Sequence, residues 1–452
     1  MYNPDMSLSA SDVTIITVNW NGRVHLQTLL PSLMDQGAGE IIVVDNGSVD
    51  DSVRFLEENY PSVRILKNPV NMGFSQPNNL AAREAEGKIL AFINNDMKAH
   101  PEWVSNGIRK LQTYDCVSSR ILSWDGNRID FNGSSLQYLG YALQKNTGEL
   151  LSSISGEGGD ILFPCGGAMF IRRELFLESG GFDEDFFAIY EDVDLGWRLW
   201  VTGHRITLNG DSVVYHKGHA TFQTQDNSRM RYLMHRNALL TILKNYDDDT
   251  VKKVFPMAIM MAVRRAVRCS GVRKESFYLW EEARRGLDSG DESAVISNLD
   301  ALNHLVAVDD TINMLPDILE KRRIIQAKRK AGDDQILSLF EDPLRVIVED
   351  ADYTENEARL LEILGLDSLF DIKTYREKAA LFTSRTDQAE KKCRRELFSL
   401  QWLGGYALLH PPDRVLKPRS RLQKFLGTAR TSGPGAAVSL AWKSIKKQHI
   451  RG

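Results

Sequence analysis

Three groups of residues in this 452-residue chain have types and spacings suited to chemistry. Asn94, Asn95 and Asp96 close the buried-looking run ILAFI at 89–93. Two amides and a carboxylate are poor core residues, so at a strand's end they need water, a ligand or a metal ion. Glu191, Asp192 and Asp194 lie within four residues of each other, just ahead of a helical stretch over 195–201. A helix N-terminus stabilises such charges, and a carboxylate there can accept a proton from a hydroxyl; N-capping accounts for the same acids. In CGG at 165–167, Gly166 and Gly167 allow close approach of a ligand or simply a bend before AMFI. Cys165 has no nearby His or acid to activate it and reads as a buried small residue.

Positioning these groups requires a scaffold, which the order of elements supplies. VTIITV (13–18), EIIVVD (40–45), VRIL (63–66) and ILAFI are strand-like, and helical patterns fall between them at 25–36, 52–59 and 78–86. The order β-α-β-α-β-α-β predicts an α/β fold, a mainly parallel sheet with helices on both faces. Ligands of such sheets gather beyond the carboxyl ends of the strands, where Asn19, Asn21, Asp45, Asn46 and the 94–96 triplet stand. After residue 228 long helical patterns dominate. The expected organisation is an extension over 1–11, an α/β domain over 12–235, a helical region over 236–335, and a stretch over 336–452 with no derivable fold. GPG at 433–435 breaks the chain before a last short helix over 436–448.

Composition bounds the function. With 42% apolar and 26% charged residues and a net charge of -4, the chain is ordinary globular material and not a general nucleic-acid binder. Its 4 cysteines are far apart, which argues against a zinc site or disulfide scaffold and fits a reducing cytoplasm. No signal-peptide pattern opens the sequence. The longest apolar run, VFPMAIMMAV at 254–263, is about half the ~20 residues of a spanning helix. It is framed by Lys252, Lys253, Arg264, Arg265 and Arg268, and residues 411–452 hold ten Lys and Arg against one acid. A helix lying on an anionic membrane surface shows these features; so do solvated helix faces around a core helix.

The ordered motifs TVNWNG (17–22), VVDNGSVDDS (43–52), NMGFSQPNN (71–79), FINND (92–96), GGFDEDFFAIYEDVDLGWR (180–198) and VYHKGH (214–219) resemble the inverting family 2 glycosyltransferases, nearest their rhamnosyltransferase-like branch. The resemblance covers roughly residues 12–245 and implies the GT-A fold followed by a mainly helical C-terminal region. It implies that Val18, Asn19 and Trp20 frame a nucleotide base and that Asp45 accepts hydrogen bonds from the base or ribose. It places Gly73, Phe74 and Asn79 against the donor, with Asn94 and Asn95 beside the nucleotide and Gly166 and Gly167 near donor or acceptor sugar. Asp96 and His216 become ligands for Mg2+ or Mn2+, which suit hard oxygen donors and phosphates. Asn94 stands where the family carries an acid, and Gln76 and Pro77 replace small residues. Asp192 takes the role of general base, with Glu191 as the alternative, while Asp194 and Arg198 pair at i and i+4 to support the loop.

The implied reaction moves a sugar from a nucleotide-sugar donor, dTDP-rhamnose or a UDP-sugar, to a hydroxyl of a glycan acceptor. A polyprenyl-diphosphate-linked saccharide would explain the basic and apolar features. The expected location is the cytoplasm, either free or peripheral on the cytoplasmic face of the inner membrane. WRLWVTG at 197–203 lacks the QxxRW signature of processive members, which implies transfer of one or a few sugars. Two rival classes are a catalytically silent nucleotide-sugar binding module, favoured by Asn94, and a membrane-associated scaffold.

Overall fold

Runs of Val, Ile, Leu and Phe without alternation form strands only where both sheet faces are covered. Such strands occur at β1 (Val13–Asn19), β2 (Glu40–Asn46) and β4 (Ile89–Ile93), all of β1 and β4 being buried. A computed structural model describes residues 8–154, 156, 158–217, 228–270 and 299–380. With β3 (Arg64–Asn68), these strands make the parallel set β3-β2-β1-β4, in which Asn19 lies opposite Asp45. The sheet then continues through β10 (Ala168–Arg172), β6 (Cys116–Ser123), β11 (Ile206–His216) and β5 (Met97–Ala99). β10 runs antiparallel between β4 and β6, so the expected mainly parallel sheet is mixed at this point. The short β7 (Ile129–Phe131) pairs with β6, and β8 (Ser134–Leu136) pairs with β9 (Ala142–Gln144) as a separate ribbon.

Sheet pairing brings distant residues together. β11 runs antiparallel to β5, with His216 opposite Met97, the residue after Asp96. The same strand runs parallel to β6, whose Leu122 faces Ile129 at the start of β7, so Asp130 arrives at the same corner.

Helices α1 (Arg23–Met34), α2 (Ser52–Asn59), α3 (Ser75–Glu84), α4 (Trp103–Leu111), α5 (Arg173–Glu178) and α6 (Glu191–Val201) cover the sheet. The mainly helical region that follows contains α7 (Ser228–Asn245), α8 (Asp248–Cys269), α9 (Leu299–Asn313), α10 (Leu315–Ala327), α11 (Asp333–Leu337), α12 (Ala351–Ile363) and α13 (Ile372–Ala380). It packs on the α6 layer: Trp197 of α6 meets Tyr246 and Phe340 edge-on, with ring centroids 4.7 and 5.3 Å apart.

The run at 254–263 is the middle of α8. Val254, Met257, Ala258 and Met261 are buried in the core. Of its basic neighbours, Lys253 donates to the Gly365 carbonyl, Arg264 to the Asp352 carbonyl, and Arg268 pairs with Asp350. This is the core-helix pattern, and among the described residues no helix is long and apolar enough to cross a membrane. The basic segment 411–452 and the helix expected at 436–448 lie outside the described residues.

Candidate active site

The carboxyl ends of β1, β2 and β4 converge as the strand order requires. Asn19 is fully buried; its Oδ1 accepts from Asn95 Nδ2 at 3.0 Å, and its Nδ2 faces Ser48 Oγ at 3.4 Å. Asp45 is also buried, with Oδ2 accepting from the Ser48 amide at 3.2 Å and Oδ1 lacking any protein partner. The DNGS turn therefore consumes one carboxylate oxygen and leaves the other buried and unsatisfied. Trp20 is half-buried at the rim, whereas Val18 is 5% exposed and packs into the core. At this corner Trp20 and the unpartnered Asp45 Oδ1 therefore stand at neighbouring strand ends, while the Val18 side chain lies in the core.

At the next corner Asp96 Oδ2 lies 3.2 Å from His216 Nε2, and Asp96 Oδ1 is buried without a partner. Asp130 Oδ2 contacts the other ring nitrogen, His216 Nδ1. Burial disfavours the His216 imidazolium, but Asp96 and Asp130 outweigh it and raise its pKa to about 10. Burial likewise works against the Asp96 carboxylate, and the charges of His216 and His25 nevertheless hold it below its ordinary value. Two donors suited to a divalent cation face this position, a carboxylate with an unsatisfied buried oxygen and an imidazole whose second nitrogen is held by another carboxylate; among the described residues no group of three or more acidic, His or Cys side chains is arranged around one ion, so phosphate oxygens and water would have to complete the shell. A cation there would replace the proton between Asp96 and His216.

Asp130 and His25 were not among the residues expected from sequence. His25 sits in the first turn of α1, its Nδ1 buried without a partner, and burial lowers its pKa against the opposing pull of Asp96. The strand ILAFI marks its polar end clearly, but nothing around IDF at 129–131 distinguishes Asp130 from a turn acid.

Asp192 sits in the first turn of α6, 7% exposed. Gly166 N–H donates to its Oδ2 and Val193 N–H to its Oδ1, both at 2.8 Å. A Cβ on Gly166 would lie 3.1 Å from Asp192 Cβ, and one on Gly167 would lie 2.6 Å from Asn94 Nδ2, so both glycines permit close packing. Burial raises the Asp192 pKa to about 6 despite those two amides. Glu191 beside it has a buried Oε2 without a partner, and burial together with the Asp192 charge pushes it well above the carboxylate range. Asn94 Nδ2 is buried and unpartnered on the same floor. Behind them Arg198 Nε donates to Asp194 Oδ2 at 2.8 Å, the expected i,i+4 pair.

Gly73 adopts φ +82°, and a Cβ there would meet the Phe187 carbonyl oxygen at 2.3 Å. The following amides, Phe74 and Ser75, donate to that same oxygen at 2.6 and 3.2 Å. Phe74 is buried against Phe182, and its ring edge would lie 3.5 Å from a Cβ on Gly166, so this loop and the Asp192 floor adjoin. The Asn79 amide is engaged by the loop before the 3-10 turn Glu184–Phe186. Its Oδ1 accepts from Phe182 N at 2.9 Å, and its Nδ2 donates to Phe182 O at 2.7 Å and to Glu184 at 3.0 Å.

The segment before α6 is strained. Phe187 (φ 62°, ψ -62°), Ile189 (φ 74°) and Tyr190 (φ 72°) are all non-glycine residues at positive φ. Each such residue costs ~1–3 kcal/mol and persists only where its surroundings hold it.

The family description "Glycosyl transferase family 2" matches residues 14–180, and "Glycosyl transferase family group 2" matches residues 141–272. The O-antigen biosynthesis protein RfbC of Myxococcus xanthus is 29% identical over 205 residues, 42% of this chain and 16% of that protein. The N-acetylglucosaminyl-diphospho-decaprenol L-rhamnosyltransferase of Mycobacterium tuberculosis strain H37Rv is 24% identical over 235 residues, 46% of this chain and 76% of that protein. The chain thus spans less than a fifth of the first relative and about three quarters of the second. A crystal structure of GalNAc-T7 with UDP, GalNAc and Mn2+ superposes with a TM-score of 0.45 at 15% identity, covering 60% of this chain and 54% of that one. The two overlapping family matches run from the first strand into α8 and include every corner of the site, so the chain belongs to family 2 of the glycosyltransferases.

Proposed function

We propose that this chain transfers a sugar from a nucleoside-diphosphate donor to a hydroxyl of a glycan acceptor, with inversion at the anomeric carbon. The observation that carries this reading is the Asp192 carboxylate, fixed by two backbone amides at 2.8 Å, with a pKa of about 6. A base works best when its pKa lies near the operating pH. Glu191 is a poorer candidate because burial and the Asp192 charge favour its protonated form.

In the proposed reaction Asp192 accepts the acceptor's hydroxyl proton as that oxygen attacks the anomeric carbon, and the bond to the diphosphate breaks on the opposite face. Asp45 and Trp20 serve the nucleoside, and the loop at Gly73 and Phe74 borders the donor sugar. Asp96 and His216 would hold Mg2+ or Mn2+, which offsets charge on the departing diphosphate. dTDP-rhamnose and UDP-sugars are the proposed donors. The mycobacterial relative, named as a rhamnosyltransferase acting on a diphospho-decaprenol, supports the former and suggests a polyprenyl-diphosphate-linked saccharide as acceptor.

The test is Asp192→Asn, assayed with UDP-glucose and dTDP-rhamnose. It should bind UDP or dTDP as the parent does and release no sugar. Binding without turnover by the parent chain would instead favour the silent binding module.

A further inference from the structure

The strained segment before α6 is held from outside the site by two side chains of α7, chiefly Asn237. Asn237, fully buried on α7, points its Nδ2 at three carbonyl oxygens: Phe186 at 3.1 Å, Ala188 at 3.1 Å and Ile189 at 2.6 Å. Two N–H protons are therefore shared among three acceptors. The orientation of the amide is fixed, because Arg236 Nε donates to Asn237 Oδ1 at 3.0 Å. Arg236 Nη2 also reaches the carbonyls of Asp185 and Phe186, at 2.8 and 3.3 Å.

The carbonyls of this segment are divided between two sides. Those of 186, 188 and 189 face Asn237, while that of Phe187 turns away to accept from Phe74 and Ser75. Phe187 and Ile189, at positive φ, lie within this divided stretch. The next residues are Tyr190, whose hydroxyl accepts from the Ala142 amide, and then Glu191 and Asp192. One amide thus controls a segment that touches the donor loop at one end and carries the base at the other.

We propose that Asn237 is a positioning residue for sugar transfer: its amide holds the 186–190 segment so that the Phe74 loop and the Asp192 carboxylate keep their mutual geometry. This rests on reading Asp192 as the base. The requirement is for a donor, since an aspartate of the same shape would set a carboxylate against three carbonyls.

The test compares the full-length parent with Asn237→Ala and Asn237→Asp by hydrogen exchange, and by Mn2+-dependent turnover of UDP-glucose and dTDP-rhamnose. In Asn237→Ala the amides of Phe74, Ser75 and residues 188–192 should exchange at least about tenfold faster, with β1 and β4 unchanged. Turnover should fall about 30- to 100-fold in kcat, with donor KM altered less than about threefold, as a small displacement of reacting groups produces. Asn237→Asp should be at least as impaired. Protected Phe74 and Ser75 amides, or an unaltered kcat, would overturn the proposal. Should Asn237→Ala unfold globally, Asn237→Leu, which keeps the side-chain bulk and removes the donor, is judged by the same readouts. Should neither donor turn over, the exchange result decides alone. An active Asp192→Asn beside an impaired Asn237→Ala would remove the base assignment and leave the clamp standing.

Discussion

Asp130 holds Nδ1 of His216 while Asp96 faces Nε2 of the same ring, so the imidazole is gripped at both nitrogens by acids 34 residues apart in sequence. With Nδ1–H committed to Asp130, a cation that displaced the Nε2 proton would meet the Nε2 lone pair at the corner where Asp96 Oδ1 is unsatisfied. Carboxylates of this kind fix the tautomer of a metal-bound histidine, and their loss typically weakens metal affinity ~10–100-fold. Asp130→Asn should therefore bind Mn2+ in the presence of UDP about 10- to 100-fold more weakly, as read by titration calorimetry or by Mn2+ spin resonance. Affinity equal to that of the parent would show that Asp130 only buttresses β7.

The pH dependence of transfer follows from Asp192. Its carboxyl titrates at about 6 because burial raises it, and only the ionised form can accept a proton. With kcat/KM measured across pH 4.5–8 at saturating metal, the rate should be level above about pH 7 and fall about tenfold per unit below about pH 6. Asp192→Asn should be at least about 10³-fold slower and lack this limb. A limb that survives in Asp192→Asn would assign it to another group.

How much of this was legible before the fold depends on the kind of signal. β1, β2 and β4 announce themselves because strands buried on both faces need unbroken apolar runs, and the polar residues at their ends then stand out. Asp45, Asp96, Asp192 and His216 stand out in the sequence through that contrast and through the family motifs. Asp130 was not, because it lies in a three-residue strand whose place depends on β6 pairing, 86 residues ahead of its partner His216. Asn237 was hidden inside a helical pattern in which a buried amide breaks no rule of spacing. Asn79 shows the other side of this: an amide after a glycine loop suits a ligand, and the pairing of its side chain with the Phe182 backbone could not be read from its spacing. Residue type reveals capacity for hydrogen bonding, and only tertiary pairing decides where that capacity is used.

Beneath the site, Lys244 is 2% exposed at its side chain and joins Asp183 and Asp194, while Arg198 and Asn245 complete the Asp194 shell. Removing one partner from a buried ionic cluster costs ~3–5 kcal/mol because a charge is left uncompensated. Lys244→Met should lose about that much stability in urea at pH 7, with Arg198 and Lys321 moderating the loss. Burial works against both carboxylates, but Lys244 holds Asp183 and Asp194 below their ordinary range. A depressed carboxyl stabilises the fold at every pH above its unfolded value and ceases to do so as pH falls through the folded one. The deficit of Lys244→Met should therefore remain full down to about pH 4 and shrink only below it. A deficit that disappears between pH 7 and 5 would contradict this account.

The tightest steric requirement in the donor loop is at Gly73. Its φ of +82° disfavours any side chain, and an added Cβ would stand 2.3 Å from the Phe187 carbonyl oxygen and 2.8 Å from the Phe187 ring. The backbone atom cannot yield easily, because that oxygen already accepts from Phe74 and Ser75 and its neighbours are held by Asn237. Gly73→Ala should displace the loop and cost ~1–3 kcal/mol of stability. Because the loop borders the proposed donor position, affinity for UDP-glucose or dTDP-rhamnose should fall by at least about tenfold, while affinity for free UMP, which lacks the sugar, should change less than about threefold. Gly148→Ala is the control: it too has positive φ, at +84°, but a Cβ there meets nothing within 4 Å. That variant should show backbone strain without the loss of donor affinity, and equal losses in both variants would mean that the clash with Phe187 is not what matters.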